Sequence, residues 1–290
     1  MINKNVSHDS FEFTMPPFNN SKLQFSFPNS LIKQFEDNIL FPLQTSEGEN
    51  PYCLKRPLGV LLFGAPGQGK STLAKVYAQM LEKPYVVINR YHLMQKGCQE
   101  ISCEFLRLIE SATENSGTII IENIESIIPR REMIKNELLR LDVANILDII
   151  SHCIERKIII IGTTSNPQEI DAQIGFSGFL NELIYVPFPD SNMRRKIISS
   201  SLECRPVDDI DIEQVVMASD GFSTSGVLQI IEDAALQCAL STTSITTNVI
   251  IDLIKSKNIS EQLRIRDKYD KLSKKLIQRD FDQKLSIGFI

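Results

Sequence analysis

The stretch Gly59-Val60-Leu61-Leu62-Phe63-Gly64-Ala65-Pro66-Gly67-Gln68-Gly69-Lys70-Ser71 decides the fold of this chain. It begins as a buried strand and continues into the pattern GxxxxGKS in front of a helix. The glycines let the backbone wrap tightly, so that successive N–H groups can surround phosphate oxygens, and the positive end of the helix faces the same anion. The stretch therefore predicts a nucleotide-binding loop. The candidate nucleotide-binding residues are Gly64, Ala65, Pro66, Gly67, Gln68, Gly69, Lys70, Ser71 and Thr72.

Two side chains at the end of the loop have a specific chemistry. Lys70 is expected to reach the β- and γ-phosphates, and the hydroxyl of Ser71 is expected to bind Mg²⁺. ATP and Mg²⁺ are therefore the expected cofactors. The alternative is a glycine-rich turn without a ligand, and the strand before the loop and the helix after it argue against that alternative.

Strand and helix patterns alternate after the loop, which is typical of a parallel sheet covered by helices on both faces. A helix with Ser30 as its N-cap and Pro42 at its end is predicted before the first strand. We therefore expect an α/β fold, a P-loop NTPase parallel sheet sandwiched by helices. The predicted strands are 59–63, 85–88, 118–121, 157–161 and 183–186, and the helices between them are 70–82, 99–113 and 136–154.

The pattern changes after Pro187-Phe188-Pro189-Asp190, where the strands stop and helical stretches follow. These stretches predict a small all-α lid domain, with helices at 191–202, 211–219, 224–240 and 246–256. The tail places Ile265, Tyr269, Leu272 and Leu276 at helical spacing, as a solvated amphipathic helix or a dedicated binding helix would. The expected parts are a flexible arm at 1–28, the α/β domain at 29–190, the lid at 191–258 and the amphipathic tail at 259–290.

Composition and charge argue against several classes of protein. Of the 290 residues, 42% are apolar and 23% are charged, which is close to the globular average and argues against global disorder. The net charge of −5 argues against a general nucleic-acid binder. We expect neither a membrane span nor a signal peptide, because no apolar run approaches roughly 20 residues and the N-terminus is polar. The six cysteines and three histidines are scattered, so we expect an intracellular, cytoplasmic protein without a zinc site.

Several ordered segments resemble the motifs of AAA ATPases. Residues 57–71 resemble the Walker A region, 119–127 the Walker B segment, 161–167 the sensor 1 strand end, 185–190 the junction to the lid, and 221–223 with 232–235 its later helices. The resemblance covers about residues 20–258. It implies an ATP hydrolase that binds ATP and Mg²⁺ and forms a homo- or hetero-oligomeric ring of AAA subunits. It also implies a protein substrate or adaptor as partner, and nucleic acid is not expected.

The Walker B segment departs from the family at its catalytic end. The family has Asp-Glu there, an Asp that supports Mg²⁺ and a Glu that activates the attacking water, whereas this chain has Glu122 and Asn123. Glu122 keeps a carboxylate for the metal, but the neutral amide of Asn123 cannot accept a proton from water. Glu125 is expected to reach the site only through a rearranged loop. At sensor 1, Ser165 replaces the usual Asn and can still donate a hydrogen bond.

Two elements that act between subunits or on substrate also differ. The family usually supplies two arginines to the neighbouring subunit, and the alignment places Phe176 and Phe179 at these positions. The family's pore loop grips substrate with an aromatic residue, and the corresponding stretch 95–100 has Gly97. The ATP-binding loop is thus intact, whereas the catalytic elements around it are altered.

The leading hypothesis is an AAA-type ATP-binding subunit of a ring, with weak or no hydrolysis of its own and a structural or regulatory role. The first alternative is an active AAA ATPase that remodels protein complexes, with Glu122 or Glu125 used unconventionally and arginines taken from another subunit. The second alternative is a P-loop protein that acts on nucleic acid, such as a helicase loader. The acidic total opposes it, and only the basic tail residues Lys271, Lys274, Lys275 and Arg279 favour it.

Overall fold

The computed structural model describes residues 27–45, 57, 59–94, 101–114, 117–174 and 179–286 of the chain. The strands are β1 Gly59–Phe63, β2 Tyr85–Ile88, β3 Thr118–Ile121, β4 Ile160–Thr164 and β5 Glu182–Tyr185. They form one sheet in the order β2-β3-β4-β1-β5, in which each pair of neighbours is parallel. The predicted α/β class, a parallel sheet between helices followed by a helical part, is therefore confirmed.

Helices lie in the connections between the strands, and they are the main regular elements of the described chain after β5. Before β5 they are α1 Asn29–Phe35, α2 Phe41–Gln44, α3 Lys70–Met80, α4 Arg90–Met94, α5 Ile101–Glu114 and α6 Glu137–Glu155. After β5 they are α7 Ser191–Leu202, α8 Ile212–Ala218, α9 Thr224–Ser241, α10 Thr247–Ser256 and α11 Ile259–Ser286. A π-helical turn, Glu36–Leu40, joins α1 to α2, and 3-10 turns occupy Ile124–Ser126 and Arg131–Met133. None of the helices in the described ranges is both long and apolar enough to cross a membrane.

The central strand β1 is buried on both faces of the sheet. Successive residues of a strand point to opposite faces, and β1 follows this rule. Val60 and Leu62 join an apolar cluster with residues of α1 and α3, whereas Leu61 and Phe63 join a second cluster with residues of α5 and α6. This two-sided burial explains why β1 reads as a continuous apolar run.

The register of the strands positions the loop that follows β1. Phe63, the last residue of β1, is opposite Thr164 of β4 on one side and Tyr185 of β5 on the other. The residues that follow these strands, Gly64 and Ser165 among them, therefore emerge together at the carboxyl edge of the sheet. Ligands bind at this edge in open parallel sheets.

The helical part begins with a capped helix and shares its core with the sheet. The Asp190 carboxylate caps α7, because its Oδ1 accepts a hydrogen bond from the Met193 N–H at 2.7 Å. Ile198 of α7 and Ile230 of α9 belong to the same apolar cluster as Val60 of β1. The helices after β5 thus pack directly onto the α/β part.

The last helix, α11, packs against the rest of the molecule with one face. Tyr269 and Leu276 are 6% and 4% exposed, and Leu272 packs beside them. Lys274 and Lys275 lie on the exposed side of the helix. The apolar residues that share helical spacing in the tail therefore form a contact face, and only the opposite side of the helix is solvated.

Two predicted features of the first helix are wrong. The helix begins at Asn29, directly after Pro28, so Ser30 is a helical residue and not its N-cap. Pro42 does not end the helix, because the chain passes through the π-helical turn into α2 and ends at Gln44. A proline in the first turn of a helical segment is tolerated, since the N–H that it lacks would have no partner within that segment.

The predicted bounds of the fourth strand, 157–161, are wrong. The strand β4 begins three residues later and spans Ile160–Thr164. Lys157 has a φ of 62°, which turns the chain after α6. The Ile158 N–H donates to the Cys153 carbonyl at 3.0 Å and so still belongs to the end of that helix. The apolar run after Lys157 is therefore divided between a turn and the strand.

The stacked rings of Phe35 and Tyr77 allow a stability test. Their centroids are 4.0 Å apart, both side chains are wholly buried, and the Tyr77 hydroxyl donates to the Leu31 carbonyl at 2.7 Å. Phe35→Ala is expected to lower the free energy of unfolding by about 3–5 kcal/mol through lost burial and a cavity, and Tyr77→Phe by about 1 kcal/mol. Urea unfolding measures both changes.

The control for this test is Phe41→Ala, because the Phe41 side chain is 59% exposed. Its free energy of unfolding is expected to change by less than about 0.5 kcal/mol. Equal losses for Phe35→Ala and Phe41→Ala would contradict the packing of Phe35 against Tyr77.

Candidate nucleotide-binding site

The loop between β1 and α3 has the backbone conformation that its glycines predict. Gly67 and Gly69 have φ values of 76° and 83°, in a region that residues with a Cβ rarely adopt. Gly69 directly precedes α3 and has no side chain with which to cap that helix. The first-turn N–H groups of α3 therefore keep their hydrogen-bonding capacity for an anion.

The start of α9 lies against the same loop. The Ser225 N–H donates to the Gly67 carbonyl at 2.9 Å. A Cβ at Gly67 would lie only 2.0 Å from the Ser225 Oγ, so this close approach needs glycine. Ser223 caps α9 by accepting from the Gly226 N–H at 3.1 Å. The helical part of the chain thus touches the loop directly.

The ammonium group of Lys70 lies inside the loop. Its Nζ donates to the carbonyl oxygens of Gly64 and Ala65 at 3.0 Å and 2.8 Å, and to the Ser165 hydroxyl at 3.0 Å. Burial lowers the pKa of Lys70 to about 8, and the negative charge of Glu125 opposes part of this shift. The three N–H donors of the ammonium group thus have three acceptors.

Ser165 and Glu125 meet beside Lys70. The Ser165 N–H, directly after β4, donates to Glu125 Oε1 at 3.2 Å. The other carboxylate oxygen, Oε2, is buried and has no hydrogen-bond partner among the described residues. The expectation that Glu125 would need a rearranged loop to reach the site is therefore wrong, because the 3-10 turn Ile124–Ser126 already brings its carboxylate there.

Glu122 lies beside the face of α3 that carries Ser71. Its N–H donates to the Ile88 carbonyl at 2.8 Å, which extends the pairing of β2 and β3. Its Oε1 is 3.9 Å from the Nζ of Lys75, which is one helical turn after Ser71 and therefore on the same face. This ion pair is weak, because the Lys75 side chain is 44% exposed. Binding of Mg²⁺ by Ser71 and Glu122 stays a prediction from the sequence.

Asn123 is exposed and has a left-handed backbone. Its φ and ψ are 49° and 56°, and its N–H donates to the Thr163 Oγ1 at 3.2 Å. Asparagine adopts this conformation more readily than glutamate does. The backbone at position 123 therefore suits asparagine, a feature that sequence reasoning about the missing carboxylate did not identify.

The structure describes only one of the two positions at which the family usually has arginines. Phe179 is partly buried and packs against the apolar cluster that contains Leu61 and Phe63 of β1. Its N–H donates to the Gln173 carbonyl at 2.9 Å. Phe176 and the predicted pore-loop stretch 95–100, with Gly97, lie outside the described residues. So do residues 1–26 of the predicted arm.

Two side chains at the loop have features that the sequence did not reveal, Gln68, which was a candidate only through its place in the loop, and Phe27. Gln68 is wholly buried, and neither atom of its amide has a hydrogen-bond partner among the described residues. The Phe27 ring is buried and lies 3.4 Å from the position of a Cβ at Gly69. The loop pattern accepts any residue at 68, so it could not single out this amide. The remaining candidate residues differ in exposure, with a buried Ala65, an exposed Pro66 and a half-buried Thr72.

The residues at this edge of the sheet fit ATP and Mg²⁺. The loop offers left-handed glycines, a helix start without a capping side chain and the buried cation of Lys70 to a phosphate chain. The orphaned amide of Gln68 provides unused hydrogen-bonding capacity. The Ser71 hydroxyl and the Glu122 carboxylate are oxygen ligands of the kind that Mg²⁺ prefers. Bound Mg²⁺ would neutralise phosphate charge.

Comparisons with known proteins agree with this geometry. Residues 60–188 match the sequence profile of the ATPase family associated with various cellular activities (AAA). The chain is 29% identical over 208 residues to the cell division cycle protein 48 homolog of Archaeoglobus fulgidus, a match that covers 71% of this chain and 28% of that protein. It is 26% identical over 207 residues to Protein SAV of Sulfolobus acidocaldarius, covering 70% of this chain and 26% of that protein. The chain thus spans about a quarter of the length of these relatives.

The lowered pKa of Lys70 predicts a pH dependence of nucleotide binding. Because this pKa is about 8, the cation is lost as the pH rises through 8. Bound phosphates favour the protonated form, so ATP affinity is expected to fall roughly fivefold to tenfold between about pH 7.5 and pH 9. Titration with a fluorescent ATP analogue measures this change. Lys70→Met binds more weakly and should show no such dependence; an equal pH dependence in both proteins would rule out Lys70 as its source.

Proposed function

We propose that this chain, whose residues 60–188 match the AAA ATPase family, binds Mg·ATP where its sheet and its helical lid meet and hydrolyses it slowly or not at all. Its role is then structural or regulatory. One observation carries the proposal: the buried Lys70 and its loop are intact, while Asn123 provides no carboxylate at the position of the base. The residues for ATP binding are therefore present, whereas the usual residue for ATP hydrolysis is missing.

ATP binding at the junction is supported by the contact between the loop and the lid. The Ser225 N–H donates a hydrogen bond to the Gly67 carbonyl of the loop. A nucleotide bound to the loop would therefore lie next to the start of α9. Binding at such a junction gives the nucleotide differential contacts with different lid orientations, which is what a conformational response requires.

Weak turnover is supported by two neutral side chains. The amide of Asn123 cannot take a proton from water. Phe179 packs inward where the family usually has an arginine that stabilises transition-state charge in a neighbouring subunit. The chain therefore provides neither the usual base for its own site nor, at this position, a cation for the site of a neighbour.

The partners that we propose are other AAA subunits, in a homo- or hetero-oligomeric ring, together with a protein substrate or adaptor. A subunit that binds ATP without rapid hydrolysis would hold its lid in the ATP-bound orientation for longer than an active neighbour does. In a mixed ring it would therefore provide a stable element beside hydrolysing subunits.

A second candidate function, an active ATPase, is favoured by Glu125. Its carboxylate lies beside Ser165 and acts electrostatically on Lys70, and one of its oxygens has no hydrogen-bond partner among the described residues. A carboxylate so placed is a candidate proton acceptor for an attacking water. For this function, Glu125 must accept the proton from water that the Asn123 amide cannot accept.

Phosphate release from Mg·ATP by the purified chain separates the two functions. Under the leading proposal, the wild-type rate is close to that of Lys70→Ala, and Asn123→Glu raises it by about tenfold or more. Asn123→Asp tests the same point with a residue that suits the left-handed backbone better. Robust wild-type hydrolysis that is lost in both Lys70→Ala and Glu125→Gln would overturn the leading proposal and establish the second.

Assembly provides an independent prediction. If ATP sets the lid orientation, Mg·ATP is expected to shift the chain toward larger assemblies, either alone or mixed with an active AAA subunit. Size-exclusion chromatography with light scattering measures the mass, with Lys70→Ala as the control that should not respond. An ATP-independent mass in every mixture would argue against a nucleotide-driven ring.

A further inference from the structure

We propose that Tyr269, on α11, is a positioning residue that holds Ser165 in the nucleotide site and thereby favours binding of ATP over ADP. The inference rests on the proposed function, because it assumes that the loop binds nucleotide. It adds a part of the chain that lies beyond residues 60–188, the range that matches the family profile.

Ser165 is held by three different hydrogen bonds. Its hydroxyl is 3.0 Å from the Lys70 Nζ, and its N–H donates to Glu125 Oε1 at 3.2 Å. Its carbonyl accepts a hydrogen bond from the Tyr269 hydroxyl at 2.9 Å. The bond from Tyr269 comes from a helix that is 104 residues away along the chain. The position of Ser165 therefore depends on α11 as well as on the strand that precedes it.

The Tyr269 hydroxyl is the donor in this hydrogen bond, because the Ser165 carbonyl can only accept. The ring is 6% exposed and packs against Ala65 of the loop and against Phe188. Burial, together with the negative charges of Glu125 and Glu169, raises the pKa of Tyr269. The ring and the hydroxyl both contact groups at the edge of the nucleotide site.

Contacts that do not involve Ser165 hold α11 in place. The Tyr185 hydroxyl of β5 donates to Asp270 Oδ1 at 2.8 Å. Leu276 is buried in the apolar cluster that contains Leu61 and Phe63 of β1. On the lid side, Leu263 lies within 2.7 Å of the position of a Cβ at Gly221. The helix therefore bridges the sheet and the lid, and the hydroxyl of Tyr269 is not needed to dock it.

The position of Ser165 matters most for the terminal phosphate. Lys70 is the residue of the loop that reaches the β- and γ-phosphates, and the Ser165 hydroxyl is within hydrogen-bonding distance of its ammonium group. A shift of Ser165 changes the donors that face the γ-phosphate, whereas ADP lacks that group. Loss of the Tyr269 hydroxyl is therefore expected to weaken ATP binding selectively.

Tyr269→Phe and Tyr185→Phe form a matched pair for the test. Each variant removes one hydroxyl at the interface of α11 and keeps the ring, but only Tyr269→Phe removes a hydrogen bond to Ser165. Dissociation constants for Mg·ATP and Mg·ADP are measured on the full chain by calorimetry, and thermal unfolding verifies that all proteins are folded. Tyr269→Phe is expected to weaken ATP binding by about threefold to tenfold, with ADP binding unchanged within about twofold. Tyr185→Phe is expected to leave the ratio of the two constants unchanged.

The other outcomes are also decisive. If Tyr269→Phe leaves ATP binding unchanged, weakens ATP and ADP equally, or behaves like Tyr185→Phe, then α11 acts only as a structural support and the inference is wrong. If the unaltered chain binds neither nucleotide, the proposed function itself fails, and the inference fails with it. If the unaltered chain binds both nucleotides, the nucleotide-binding part of the proposed function stands whatever the two variants do.

Discussion

The burial of one ammonium group organises this molecule. Lys70 carries a positive charge at the carboxyl edge of a parallel sheet, where its pKa falls to about 8 because water is largely excluded. A buried cation is tolerated only when acceptors surround it, and here two carbonyl oxygens of its own loop and the Ser165 hydroxyl do so. The strand order, the strand register and the tight loop all bring these acceptors to one place.

The sequence could predict the fold and the loop because both depend on local patterns. Apolar runs separated by helical stretches define the sheet, and GxxxxGKS defines the loop between β1 and α3. The errors arise where tertiary structure overrides these patterns. Lys157 adopts a positive φ and shifts β4 toward the C-terminus, and a π-helical turn lets the first helical region continue past Pro42. Propensities do not encode either feature.

The site was predicted less completely than the fold, because several of its contacts join distant parts of the chain. Glu125 was expected to reach the site only through a rearranged loop, although the 3-10 turn places it against Ser165. Tyr269 showed only helical spacing, which cannot reveal what a helix packs on. The buried amide of Gln68 occupies a position at which the loop pattern allows any residue. These features depend on neighbours that are separated in sequence.

The left-handed backbone at Asn123 has a consequence for which side chains this position can carry. A glutamate in this conformation carries a cost of roughly 1–2 kcal/mol, whereas asparagine adopts it readily. A glutamate introduced on the present turn therefore restores a carboxylate at this position but lowers the stability of the turn. Position 123 thus couples the side chain available for chemistry to the stability of the turn that carries it.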